Sequence, residues 1–352
     1  MTGKPITLGI LFLALLGAAL PAAGSSREPY ARVVVLPWKN LGSQAEARDE
    51  LMPEFVAELG RAGFEAVGMD SVRASLRRHR VRETGALSQR DAWLLSRDLG
   101  TPWILVGALD IYQDEPVEAG LSARLMNSTT GDLLWADAFY ATGLDHAGLL
   151  GLGEVSDPRD LARDLLGKLV RSLQRTWLEH PERIYDEIGS QALRPGLILV
   201  PFGNSSATSQ GHWIVQNVLL GLLVGQGYRV IEPGMATQAL RDYARFPQGE
   251  IDLAALDSLA ARFDADYCLT GHLTEYRVDP DPSGADVPVV DLETRLLEAA
   301  TGRIIWAGHA EHSGADFIKI FQVGMIRSPG RLLQETFARL LPTLPAPLGG
   351  KN

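Results

Sequence analysis

The chain has 352 residues, 46% hydrophobic and 22% charged, which excludes wholesale disorder and favours two domains of ordinary size. Its 43 acidic residues outnumber 33 basic ones for a net charge of −10, and no Lys/Arg-rich run is present. Nucleic acid is therefore excluded as a partner, and the single cysteine, Cys268, excludes a disulfide framework, an iron–sulfur site and a cysteine zinc site.

The first 24 residues read as an address. Lys4 is followed by an apolar run from Ile6 to Leu20 and by the small residues Ala22, Ala23 and Gly24. This is the pattern of a secretory signal peptide, and the run is short for a membrane span. Export to the periplasm with cleavage near Gly24–Ser25 is the expectation; an uncleaved N-terminal anchor is the alternative. No cysteine stands at the end of the leader, so a lipid anchor is not expected.

Arg32–Trp38 is a β-branched run closed by proline and predicts a strand buried on both faces. Asn40–Ser43 predicts a turn. Ala45–Arg61 carries Leu51, Phe55, Val56 and Leu59 on one helical face, with Pro53 either near the start of the helix or at a kink. Gly63 is a stop, and Phe64–Gly68 a second strand, so the order strand, helix, strand predicts a parallel unit. Helices are predicted over Ser71–Arg80 and Leu87–Leu99, with Ser88 as N-cap. Trp103–Tyr112, Leu121–Asn127 and Leu133–Tyr140 predict an antiparallel meander, and Pro158–Trp177 a last helix.

These elements occur twice. Val33–Asn40 matches Leu197–Asn204 at an offset of 164 residues. The same offset carries Gly63-Phe64 onto Gly227-Tyr228 and Val106-Gly107 onto Thr270-Gly271. An insertion near Asp279–Asp291 raises the offset to 171, which carries Leu121-Ser-Ala-Arg-Leu onto Leu292-Glu-Thr-Arg-Leu and Thr130–Trp135 onto Thr301–Trp306. The expected organisation is a signal peptide (1–24), a first α/β domain (26–177), a linker (178–193), a second α/β domain (194–344) and a disordered tail (345–352). The fold class is α/β: two tandem copies of a mixed-sheet α/β sandwich in the order βα-βαα-βββ-α.

No catalytic or ligand motif stands out. Phosphate loop, dinucleotide fingerprint and nucleophile elbow are all missing, and Gly148–Gly153 has glycines but no lysine. His309 and His312 are three apart at the end of a strand, where alternation turns them to opposite faces. Cys268 has Ile104 as its counterpart, which argues for a packing residue. Pro37, Trp38, Asn40, Gly107 and Trp135 recur as Pro201, Phe202, Asn204, Gly271 and Trp306, a signature of fold because both copies need it. The basic cluster Arg73, Arg77, Arg78, Arg80 and Arg82 has only Arg241 in copy two. At helical spacing Arg73, Arg77 and Arg80 share a face, a candidate contact for an acidic partner or lipid headgroups.

The run Val-Val-Val-Leu-Pro-Trp-x-Asn, then Gly-Phe-Glu-Ala-Val, Leu-Gly-Thr-Pro-Trp-Ile-Leu-Val-Gly and Thr-Thr-Gly-Asp-Leu-Leu-Trp resembles a group of bacterial envelope domains. The group includes those of the curli secretion-channel subunit, the outer-membrane activators of penicillin-binding proteins and the N-terminal domain of the Tol–Pal propeller protein. The resemblance implies a non-enzymatic role in assembly or regulation of an envelope machine, of the secretion, cell-wall synthesis or flagellar-ring type. It also implies envelope proteins as partners and a peripheral outer-membrane association; since no ligand motif stands out, no cofactor and no metal are expected. The alternative expectation is a small molecule or glycan bound in the cleft between copies.

Overall fold

The computed structural model describes residues 30–42, 44–146, 154–180, 194–241, 249–280, 286–318 and 324–345. The signal peptide, the glycine loop 148–153, residues 181–193 of the linker and the tail from 346 lie outside the described residues.

Copy one runs β1 (Ala31–Val35), β2 (Lys39–Asn40), α1 (Ala45–Arg61), β3 (Phe64–Ala66), α2 (Met69–His79), α3 (Gln89–Leu99), β4 (Trp103–Asp114), β5 (Val117–Asn127), β6 (Leu133–Thr142) and α4 (Pro158–Glu179). Copy two runs β7 (Gly196–Leu199), β8 (Gly203–Asn204), α5 (Gly211–Gly225), β9 (Arg229–Val230), α6 (Pro233–Arg241), α7 (Leu253–Phe263), β10 (Tyr267–Pro280), β11 (Asp286–Glu298), β12 (Ile304–Ser313) and α8 (Pro329–Leu340). The sheets have the strand orders β3-β1-β4-β5-β6 and β9-β7-β10-β11-β12, with β2 on β4 and β8 on β10. β1 is parallel to β3 and β4, while β4, β5 and β6 form the antiparallel meander. The chain is thus a mixed α/β protein of two tandem sandwiches.

Local chemistry accounts for the elements. Pro53 lies inside α1, which continues through it. Ser88 caps α3, its hydroxyl accepting from the Asp91 N–H at 3.0 Å. The insertion in copy two is only partly a loop. Asp279–Pro280 and Asp286–Asp291 pair as strand, so β10 and β11 grow longer than β4 and β5. Val290 and Leu292, two apart on one face of β11, are both buried, and Val287 near the start of the extension is buried as well.

The recurring residues do the same work in both copies. Asn40 accepts from the Gly42 N–H (2.9 Å) and donates to the Gln44 carbonyl (2.8 Å). Asn204 repeats this with Ser206 (3.0 Å) and Thr208 (2.9 Å), closing the turn before the helix. Pro37 and Pro201 directly precede Trp38 and Phe202, which lie buried. Trp135 Nε1 donates to Ser172 Oγ in α4 at 3.1 Å, and Trp306 Nε1 to Thr343 Oγ1 at 3.0 Å in the 3-10 turn that follows α8, tying the last strand of each copy to the end of its chain. Gly107 and Gly271 leave room for the Trp38 and Phe202 rings, because a Cβ at either glycine would fall inside the ring's van der Waals shell.

In copy one, α1 and α4 cover one face of the sheet, with Leu51, Phe55, Leu165 and Leu169 against Val33, Val35, Leu105 and Leu125. On the other face α2 and α3 cover only the β1–β4 side. The β5–β6 side is covered by copy two, whose α5 and α8 pack on β6. Gly107→Ala or Gly271→Ala is expected to cost about 1–3 kcal/mol by overpacking. Chemical denaturation of each variant checks this, and a larger cost than an alanine at the exposed Gly60 is required.

Candidate functional site

The seam between copies is the most chemically distinctive region among the described residues. Copy-one residues Met126, Ala136, Ala138 and Tyr140 join the same buried cluster as Val218, Leu219 and Phe337 of copy two. Close approach is permitted by glycine: a Cβ at Gly221 would sit 3.2 Å from the Asp137 Cα, and one at Gly330 would enter the Tyr140 ring.

Charged groups are buried along this seam, and each is partnered. Arg124 Nε and Nη2 donate to the two Glu232 carboxylate oxygens at 2.7 and 2.6 Å, and Nη2 also donates to the Gly85 carbonyl at 2.7 Å. The two side chains are only 5% and 0% exposed, so a fork-shaped pair is matched in a desolvated setting. Nearby, Arg229 donates to Asp132 at 3.0 Å, and Asp132 bridges backbone to Ile231.

Two carboxyls sit where water does not reach. Asp110 accepts from Asn217 Nδ2 (2.8 Å), Ser122 Oγ (3.1 Å) and the Tyr140 hydroxyl (2.9 Å). Burial pushes its pKa up to about 7 despite these donors and the Arg124 charge. Glu118 meets the Ser328 hydroxyl at 2.6 Å and Gln113 Nε2 at 3.2 Å. Burial, with the Asp145 charge adding to it, pushes Glu118 up to about 8.

A pocket of about 180 Å³ opens at the seam, lined by Asp137, Ser172 and Thr176 from copy one and Val218, Gly221 and Gln334 from copy two. Ser172 Oγ donates to Asp137 at 2.6 Å, and burial raises the Asp137 pKa. This volume is below the roughly 300–1,000 Å³ of common ligand pockets.

The arginine cluster, by contrast with the seam, is exposed and basic. Arg73 and Arg77 project from α2 into solvent. Arg80 does not continue their row. It is the residue after the helix, in the left-handed conformation at φ 57°, so helical spacing does not set its direction. Among the described residues none of the three forms an ion pair, whereas Arg78 pairs with Asp98. On α3, Trp93 is 50% exposed with the Arg97 guanidinium 5.3 Å from its ring centre. Sequence reading missed this Trp93–Arg97 pair, although its i, i+4 spacing was visible.

Cys268 lies opposite Ile198 in β7 as Ile104 lies opposite Val34, and burial pushes its thiol up to about 12. His309 pairs with Asp291 at 2.8 Å and His312 with Asp316 at 3.6 Å, on opposite faces of β12. Among the described residues no group of three His, Cys, Asp or Glu side chains is placed to hold a metal, and no helix is long and apolar enough to cross a membrane.

Fold and seam together define an α/β protein of two fused mixed-sheet sandwiches. No protein-family model matches the chain, and no curated protein sequence matches it. Among solved structures it is similar to lipoprotein GNA1162 from Neisseria meningitidis, at 19% identity over 41% of this chain and 96% of that one, with a TM-score of 0.31. It is similar to the PelC dodecamer from Paraburkholderia phytofirmans, at 16% identity over 45% and 91%, TM-score 0.30. It is also similar to the LpoB C-terminal domain from Escherichia coli, at 17% identity over 37% and 90%, TM-score 0.26.

Because Asp110 and Glu118 have folded-state pKa values above their unfolded ones, the folded chain holds protons that the unfolded chain has released. Their contribution is fully present below about pH 4 and is lost as pH rises through about 7 and 8. The melting temperature is expected to fall between about pH 5 and pH 9, and Asp110→Asn with Glu118→Gln to flatten that slope. Arg124→Met is expected to cost about 3–5 kcal/mol by stranding Glu232, and adding Glu232→Leu to recover most of it. Denaturant titrations of the single and double variants check the recovery.

Proposed function

We propose that this chain is a non-enzymatic, exported envelope protein that binds partner proteins in the assembly or regulation of a cell-envelope machine. The observation that carries the reading is the division of labour between the copies. The residues common to both, such as Trp38/Phe202 and Asn40/Asn204, are occupied in packing and turns. What differs at the surface is the exposed basic row on α2, where Arg73 and Arg77 stand out from a chain of net charge −10. A partner with an acidic surface fits it.

Several features support a binding role over catalysis. Among the described residues Cys268 is buried and His309 is engaged by Asp291. The apolar run Ile6–Leu20 supports export. The pocket at the seam favours no more than a small polar ligand, such as a fragment of a metabolite or glycan, beside Asp137 and Gln334.

In-cell photocrosslinking followed by mass spectrometry tests the proposal. A crosslinker at Arg77 is expected to capture an envelope protein, and one at its counterpart Arg241 is not. Arg73→Glu in the same chain is expected to reduce capture by ten-fold or so, as reversal of a rim charge lowers association. Equal capture at both positions, or turnover of a substrate by the purified chain that one point change abolishes, overturns it.

A further inference from the structure

The seam joins two different surfaces, a sheet face on copy one and a helix face on copy two. Each copy possesses both, so one of each is left over. The leftover sheet face is that of β10–β12, and the leftover helix face is that of α1 and α4.

The correspondence holds residue by residue. Asp110, Ser122, Ala138 and Tyr140 of copy one are buried under copy two, whereas their counterparts Thr274, Glu293, His309 and Glu311 are exposed. On the helix side, the seam pocket has Val218, Gly221, Leu222 and Gln334 in its wall. Their counterparts Glu54, Ala57, Glu58 and Arg163 line an open groove of about 370 Å³ between α1 and α4. The same groove geometry exists twice; one is filled by β6 and one is not.

The charges at the open surfaces are complementary. At the seam the pair is Asp132 on the sheet and Arg229 beside the helices. The counterparts are Arg303, in the turn that leads into β12, and Glu65 in β3, the same pair with its signs exchanged; each is exposed and also meets a neighbour of its own copy, Glu298 and Arg32. Where the Tyr140 ring lies on Gly330, the counterparts are Glu311 and Arg159, again opposite in charge. Where Gln334 donates to the Ala138 carbonyl, the counterpart donor is Arg163 and the acceptor the His309 carbonyl. One counterpart pair is like-charged, Asp160 and Asp316, and each already has a partner within its own copy, Arg163 and His312.

We propose that the open sheet face of one chain binds the open α1/α4 face of a second copy, repeating the internal seam between molecules. Such a contact is head to tail, so it leads past a dimer to a ring or a filament. It rests on exposed charges and not on apolar area, so it is weak and sensitive to salt. The exchange of signs also sets register: an open face offered to a seam surface would place Glu65 against Asp132, or Arg303 against Arg229, as like charges. This self-association is independent of any partner held by the α2 arginines.

Sedimentation velocity of the purified chain over a concentration series tests it. At low salt the weight-average sedimentation coefficient is expected to rise with concentration past that of a dimer, and at high salt to return to that of a monomer. Glu65→Arg and Arg303→Glu, both at exposed positions, are each expected to sediment as monomers with an unchanged melting temperature. Mixed together, the two variants are expected to associate again, because each restores the opposite sign to the other. A wild-type chain that stays monomeric throughout the low-salt series shows the charged faces to be polar caps that end the repeat, and overturns the proposal. Single reversals that associate as strongly as wild type overturn it equally.

Discussion

The structure depends on one helix being buried from two sides. α5 carries Ile214, Val215, Val218, Leu219, Leu220, Leu223 and Val224, and an apolar helix of that kind is stable only when it is enclosed. Sheet two encloses one side of it and β6 of sheet one encloses the other. Its counterpart α1 has the same place in its own copy but faces water, and there the positions matching Ile214, Val218 and Leu222 carry Glu50, Glu54 and Glu58. The duplication therefore became a single body through a change of polarity on one helix face. Neither copy buries its β5–β6 or α5 surface alone.

A purely apolar seam would be tolerant of sliding, and this one is not purely apolar. Arg124 and Glu232 can satisfy each other only in one alignment, because the fork of the guanidinium and the two carboxylate oxygens must meet in the absence of water. Asp110 adds three donors from β5, β6 and α5 around one carboxyl. These groups fix the register of copy two on copy one, while the leucines and valines around them supply the hydrophobic stabilisation. Burying two carboxyls with raised pKa values is the cost of that specificity, and it makes the joint responsive to pH.

The consequence for function is that the middle of the molecule is committed to holding itself together. The signature residues, the lone cysteine and the close-set histidines are all explained by packing, turns or local pairs. What remains available is surface: the arginine row of α2, the Trp93–Arg97 pair of α3 and the two charged faces that mirror the seam.

Much of the fold was legible in the sequence, because the cues are local. Apolar runs joined by short polar turns mark β4, β5 and β6; Ser88 and Gly63 mark ends of elements; and the match of Thr130–Trp135 to Thr301–Trp306 marks the repeat. The recurrence of Gly107 with Trp38, and of Gly271 with Phe202, already announced a close approach, and its partner became visible as the ring itself. Arg80 was misplaced by one residue of helix, since a left-handed cap redirects a side chain that helical spacing would align. The seam was harder to read. Arg124 and Glu232 are 108 residues apart, and Asp110 and Asn217 are 107 apart, with no local pattern to link them. The all-apolar sequence of α5 beside the amphipathic α1 was the available hint. The sequence by itself determined two copies of one sandwich, through patterns that act over a few residues. Only the tertiary structure decided which faces of those copies meet, because that choice is made by shape and charge between segments a hundred residues apart.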